Sequence, residues 1–196
     1  MKVIMATSNK DKVREIREIL QDTDIEILSL KEAGIDLDIE ETGTSFEENA
    51  SIKAEAVRDL TGLLTIADDS GLVIDFLDGA PGIYSSRFMG EDTPYPEKNG
   101  AILDMMKEVP DEKRSARFVC AMAIAWPDGR TDIYRGVMEG RIAWKIAGQG
   151  GFGYDPIFFL PERGCTSAEL TSQEKHAISH RGKALRQVAE VLKNNG

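Results

Sequence analysis

A chain of 196 residues with 41% hydrophobic and 30% charged side chains can bury a substantial core without disulfides, which argues against wholesale disorder. Lys and Arg number 24 against 34 Asp and Glu, a net charge of −10; such a surface repels a phosphate backbone, so no nucleic acid polymer is expected as partner. The apolar stretch Val3-Ile4-Met5-Ala6 is too short for a signal peptide or a membrane span, and Cys120 and Cys165 form neither a spaced metal pair nor a disulfide framework, so a soluble cytoplasmic protein is expected.

Lys2 to Ala6 reads as a short buried strand, followed by Thr7-Ser8-Asn9-Lys10, a turn rich in helix-capping residues. Val13, Ile16, Ile19 and Leu20 then recur at helical spacing and predict an amphipathic helix over Lys10–Leu20. Ile25 to Leu28 is a second strand, so the chain opens as α/β domains usually do. Ser45-Phe46-Glu47-Glu48 has capping-box spacing, and its helix should run to Leu60 with Phe46, Ala50, Ala54 and Val57 buried. After Gly62, Leu63 to Ala67 forms an apolar strand that Asp68-Asp69-Ser70-Gly71 interrupts before Leu72-Val73-Ile74 resumes. A sharp turn is expected around Asp78-Gly79-Ala80-Pro81-Gly82 and a helix over Asn99 to Lys107. Ala116 to Trp126 and Thr131 to Val137 flank the hairpin turn Pro127-Asp128-Gly129-Arg130, which makes the middle of the chain antiparallel. Leu185, Val188, Ala189 and Leu192 mark a C-terminal helix. These elements predict an α/β protein with an elongated mixed central sheet flanked by helices, one domain over 1–196 made of two lobes with an active-site cleft between them.

Four clusters lie outside the apolar pattern. Thr7-Ser8-Asn9-Lys10-Asp11-Lys12 sits at a strand-to-helix junction, where N–H groups, hydroxyls and lysines suit phosphate oxygens; a plain N-cap with a solvated first turn accounts for the same residues. Asp68-Asp69-Ser70-Gly71 sets two carboxylates in an apolar strand, costly to bury unless they bind a cation or accept hydrogen bonds. Mg²⁺ takes carboxylate oxygens together with substrate phosphates, and a carboxylate beside it can deprotonate water; an acidic turn is the alternative. Glu40-Glu41 offers a further ligand, or is simply an exposed acidic loop.

The third cluster, Gly148 to Pro156, has four glycines within six residues, with Phe152 and Tyr154 available to stack on a planar base and Asp155 to accept from its nitrogens; an idle surface loop is the alternative. The fourth, Glu174 to Lys183, holds both histidines. Ser179 can cap the last helix, leaving Lys175, His180 and Arg181 as donors to phosphate or a base carbonyl. That cap puts His176 outside the helix and disfavours a zinc pair.

Taken in order, Thr7-Ser8-Asn9-Lys10-Asp11-Lys12, Glu40-Glu41-Thr42-Gly43, Phe46-Glu47-Glu48-Asn49-Ala50, Ala67-Asp68-Asp69-Ser70-Gly71, Gly79 to Ser85, Gly150 to Pro156 and Ser179-His180-Arg181-Gly182 resemble the inosine/xanthosine triphosphatase (Ham1-like) family nearly end to end. The resemblance implies hydrolysis of ITP, dITP and XTP to monophosphate and pyrophosphate, removal of deaminated purines from the nucleotide pool, Mg²⁺ dependence and a homodimer. It places Thr7, Ser8, Asn9, Lys10, Asp11 and Lys12 on the triphosphate, with Lys53 nearby. Asp69 becomes general base and metal ligand, Asp68 its neighbour, and one of Glu40 and Glu41 completes the metal site. Ser70, Phe152, Gly153, Tyr154, Asp155, Lys175, His180 and Arg181 hold the nucleotide. Family members often carry Gly, Arg or another residue where Ser8 lies, which suggests a backbone contact. A pyrophosphatase for other modified or pyrimidine triphosphates and a non-catalytic nucleotide sensor are the competing readings.

Overall fold

The computed structural model describes residues 1–195. Its seven strands are β1 (Lys2–Met5), β2 (Glu26–Ser29), β3 (Thr65–Ile74), β4 (Ser115–Ala125), β5 (Thr131–Ile142), β6 (Phe158–Leu160) and β7 (Cys165–Thr166). They form one mixed sheet in the order β2-β1-β3-β4-β5-β6-β7. β1 runs parallel to β2, Lys2 opposite Glu26, and parallel to β3, Ile4 opposite Thr65. β5, β6 and β7 are antiparallel neighbours. Five helices accompany the strands: α1 (Lys10–Leu20), α2 (Phe46–Thr61), α3 (Tyr95–Met106), α4 (Ser172–Ile178) and α5 (His180–Asn194). None is long and apolar enough to cross a membrane.

The chain divides into two compact units. The first comprises Met1–Ser70, Cys120–Gly136 and the chain from His180 onward; the second comprises Gly71–Val119 and Val137–Ser179. In the first unit, Val13, Ile16 and Leu20 of α1 and Leu185, Val188 and Leu192 of α5 join Val3, Met5 and Ile66 of the strands in one core. Both helices present the apolar stripe that their spacing predicts. In the second unit, Leu72, Ile74, Ile102, Met106, Phe118, Ile157 and Phe158 form a separate core. Buried Arg114 closes its edge, giving hydrogen bonds to the carbonyls of Met106, Val109, Ile142 and Ala143.

Three expectations change. β3 is not interrupted: it runs unbroken through Asp68-Asp69-Ser70-Gly71. Successive strand side chains leave on opposite faces, so each carboxylate finds its own partners without breaking the ladder. α3 begins at Tyr95, four residues before the expected Asn99, because Pro96 falls in the first turn, where its missing N–H costs nothing. The capping box of α2 forms only by half. Ser45 Oγ accepts from Glu48 N at 3.1 Å, but the Glu48 carboxylate takes Thr44 N at 2.6 Å, one residue upstream of the cap.

Candidate functional site

Strand alternation separates the two aspartates. The Asp68 side chain, fully buried, meets α1 and α5: Lys12 Nζ lies 3.1 Å from Oδ2, and Arg181 Nη2 donates to the same oxygen at 3.1 Å. Ser70 Oγ donates to it at 2.8 Å. Arg181 in turn pairs with Glu15, one turn along α1 from Lys12. Burial works against the Asp68 carboxylate, but Lys12, Arg181 and Lys53 outweigh it and hold its pKa well below the usual range. Asp68 is an ionic lock.

Asp69 meets α2 instead. Asn49 Nδ2 donates to its Oδ2 at 3.1 Å, Ser70 N donates to Oδ1 at 3.0 Å, and Lys53 Nζ stands 3.8 Å from Oδ1. Lys53 also gives a 2.5 Å contact to Glu41 Oε1. Burial at 5% exposure pushes the Asp69 pKa up, with Glu41 adding to it while Lys53, Lys12 and Asn49 pull the other way. For Lys53 burial works against the ammonium, yet Asp69, Asp68 and Glu41 raise its pKa overall. Asp69 is therefore a carboxylate whose charge is only partly compensated, as suits a base.

Of the two glutamates, Glu41 reaches this centre and Glu40 is exposed. Among the described residues no three His, Cys, Asp or Glu side chains gather as a metal cluster. The donor set that remains, Glu41 and Asp69 about one ammonium, consists of hard carboxylate oxygens and fits Mg²⁺, which is commonly held by one or two carboxylates plus substrate phosphates. Asp68, turned to Lys12 and Arg181, does not belong to that set.

The turn before α1 behaves as the N-cap alternative describes. Asn9 Oδ1 accepts from Asp11 N at 2.9 Å and Lys12 N at 3.2 Å, and Thr7 Oγ1 accepts from Asn9 N at 3.2 Å. Those N–H groups are already satisfied. Thr7, Ser8 and Lys10 line a hollow of about 800 Å³ between α1 and residues 29–37, which neither aspartate borders.

In the second unit Asp155 differs from the expectation of a base-reading acceptor. It is buried and accepts from Phe152 N at 2.8 Å, Ser167 Oγ at 2.9 Å and Lys175 Nζ at 2.6 Å. Its oxygens organise the loop from within. A Cβ on Gly151, which has φ +68°, would lie 2.1 Å from Asp155 Oδ2, so this position must be glycine. Tyr154 also serves packing: its hydroxyl donates to Ser85 O at 2.7 Å and its ring meets Tyr95 edge-on. Half-buried Phe152 keeps an aromatic face, with Lys175 Nζ 5.1 Å from its ring centroid. Asn99 Nδ2 holds Gly153 O at 3.1 Å. His180 and Arg181, in the first unit, are both buried at the start of α5.

Neither the residue clusters nor the resemblance gives Glu15, Asn49, Asn99 or Ser167 a role. Asn49 was legible, since positions 46, 49, 50, 53, 54 and 57 all fall on the buried stripe of α2, and a polar residue there needs a partner. Ser167 carries no comparable signal.

An α/β protein with a buried aspartate set between an amide and a lysine, and a second aspartate locked by two cations, has the equipment of a hydrolase acting on an anionic substrate. A model of the Ham1 family matches residues 3–191. A dITP/XTP pyrophosphatase of Photorhabdus laumondii is 48% identical over 195 residues, 98% of each chain. The Ham1 protein of Staphylococcus aureus superposes with TM-score 0.89 at 36% identity over 100% of both chains, and one from Coxiella burnetii with TM-score 0.89 at 43% identity over 99% of both. The chain belongs to the Ham1 family.

Proposed function

We propose that this chain hydrolyses ITP, dITP and XTP to the nucleoside monophosphate and pyrophosphate with Mg²⁺, clearing deaminated purines from the cytoplasmic nucleotide pool. Its place among the nucleoside-triphosphate pyrophosphatases follows from family membership and from relatives of 46–48% identity that bear that activity in their names. The observation that carries the chemistry is Asp69, a buried carboxylate with a raised pKa, steered by Asn49 and Ser70 N and flanked by Lys53.

Asp69 takes the proton of the water that attacks the α-phosphorus. Lys53 and Lys12 contribute positive charge near the scissile anhydride. Glu41 and Asp69 would hold Mg²⁺, which when bound supplies charge neutralisation to the phosphates. Phe152 is assigned to stacking on the base and Lys175, with Nζ 5.1 Å from the Phe152 ring centroid, to the 6-oxo group. Adenine, with an amino donor at that position, would leave buried donors unpaired, worth roughly 10²-fold in discrimination.

Incubation with ITP and Mg²⁺ should give IMP and pyrophosphate in equal amounts; IDP with orthophosphate would overturn the bond assignment. A homodimer, which the family resemblance implies, belongs to the same proposal. Sedimentation of a single 21.6 kDa species at all concentrations would overturn it.

A further inference from the structure

We infer that Asn49 is the positioning residue for Asp69, and that it ties the orientation of that carboxylate to the backbone of the segment carrying Glu41. The inference rests on Asp69 being the base of the proposed hydrolysis. Two α2 side chains one turn apart each join residues 41–43 to Asp69. Lys53 spans from Glu41 Oε1, at 2.5 Å, to Asp69 Oδ1, at 3.8 Å. Asn49 spans from Gly43 N, which donates to its Oδ1 at 2.9 Å, to Asp69 Oδ2, which accepts from its Nδ2 at 3.1 Å. Residues 41–43 are thus clipped to Asp69 by one ionic and one neutral rung.

The two rungs differ in kind. An ammonium is a point charge that turns toward whichever anion is nearest, so arriving phosphates compete for Lys53. An amide has a fixed donor end and acceptor end, and both contacts of Asn49 demand the same orientation; flipped, it would set oxygen against carboxylate oxygen and NH₂ against N–H. Asn49 is fully buried, so water cannot replace either bond. The terminal torsion of an aspartate is soft, and Asn49 with Ser70 N fixes both oxygens of Asp69. Gly43 completes the fit: a Cβ there would lie 2.7 Å from Asn49 Oδ1 and 2.7 Å from Glu48 Cβ.

The test uses the full chain with ITP and Mg²⁺, together with crystal structures of wild type and Asn49→Ala. Loss of a hydrogen bond to a charged group predicts a fall in kcat of about 10- to 100-fold. KM should change by less than about threefold, because ground-state binding does not use this bond. Asn49→Asp keeps the acceptor for Gly43 N but removes the donor to Asp69, and should lose at least as much kcat. In the Asn49→Ala crystal the Asp69 carboxylate should rotate from its wild-type position. Wild-type kcat per folded molecule with only a lowered melting temperature, or an unmoved Asp69, would overturn the inference. If wild type itself releases no pyrophosphate, the functional reading fails, while the Asp69 rotamer still decides the positioning role. Should Asn49→Ala fail to fold, Gly43→Ala displaces the same amide and carries the same expectation for kcat and rotamer.

Discussion

Asp68→Asn should destabilise the protein strongly at neutral pH and progressively less as the solution is acidified. The substitution keeps shape but removes the charge that Lys12 at 3.1 Å and Arg181 at 3.1 Å were built around. Arg181 keeps Glu15, whereas Lys12, only 15% exposed at its side chain, loses the carboxylate it faces. Breaking a buried pair by removing one partner costs about 3–5 kcal/mol. The pH dependence follows from the lowered pKa of Asp68. An unfolded aspartate takes up a proton near pH 3.9 while the native one stays ionised, so the stabilisation is full above about pH 3.9 and declines as pH falls toward the native pKa. The variant has no such decline. The gap between the two proteins should therefore close by about 1 kcal/mol between pH 7 and pH 3. Urea unfolding at both pH values measures it. A gap that stays constant would show that the cost of the substitution is steric, and that Asp68 is no ionic lock.

Asp69→Asn should lower kcat by about 10²- to 10⁴-fold, the usual contribution of a general base, while nucleotide affinity measured by calorimetry stays within a few-fold. Gly151→Ala forces a Cβ to within 2.1 Å of Asp155 Oδ2 at φ +68°, and should cost about 1–3 kcal/mol in thermal or urea unfolding with a raised KM for ITP. Chelation of divalent ions should stop pyrophosphate release, and added Mg²⁺ should restore it where K⁺ does not.

Much of the fold was legible because periodicity and burial coincide: α1 begins and ends where Val13, Ile16 and Leu20 place it, and α5 buries Leu185, Val188 and Leu192. Boundaries failed where the rule is permissive. The helix expected from Asn99 starts at Tyr95 with Pro96 in its first turn, and the paired aspartates expected to interrupt a strand lie within it. In the site, residue type was legible and direction was not. Asp68 and Asp69 are one residue apart and chemically alike; only the alternation of a strand already known to be continuous sends one to α1 and α5 and the other to α2. Asp155 shows the same limit, since a carboxylate in a glycine-rich loop serves a ligand or the loop equally well until its partners at 2.6–2.9 Å are known.

Charge counting around Asp68 and Asp69 bears on how an acidic protein admits a polyanion. The linked side chains Lys12, Lys53 and Arg181 bring three positive charges, and Glu15, Glu41, Asp68 and Asp69 four negative ones, leaving a net of −1 before any ligand arrives. All three cations are also spent in place: Lys12 pairs with Asp68, Arg181 bridges Glu15 and Asp68, and Lys53 bridges Glu41 and Asp69. A triphosphate entering this field gains little from the protein's own charges, in a molecule whose total is −10. A dication held by Glu41 and Asp69 would turn the local sum to +1 and supply the positive charge that a triphosphate lacks here. On the proposed reading, this excess of carboxylates over cations would favour a triphosphate accompanied by a dication over the free polyanion.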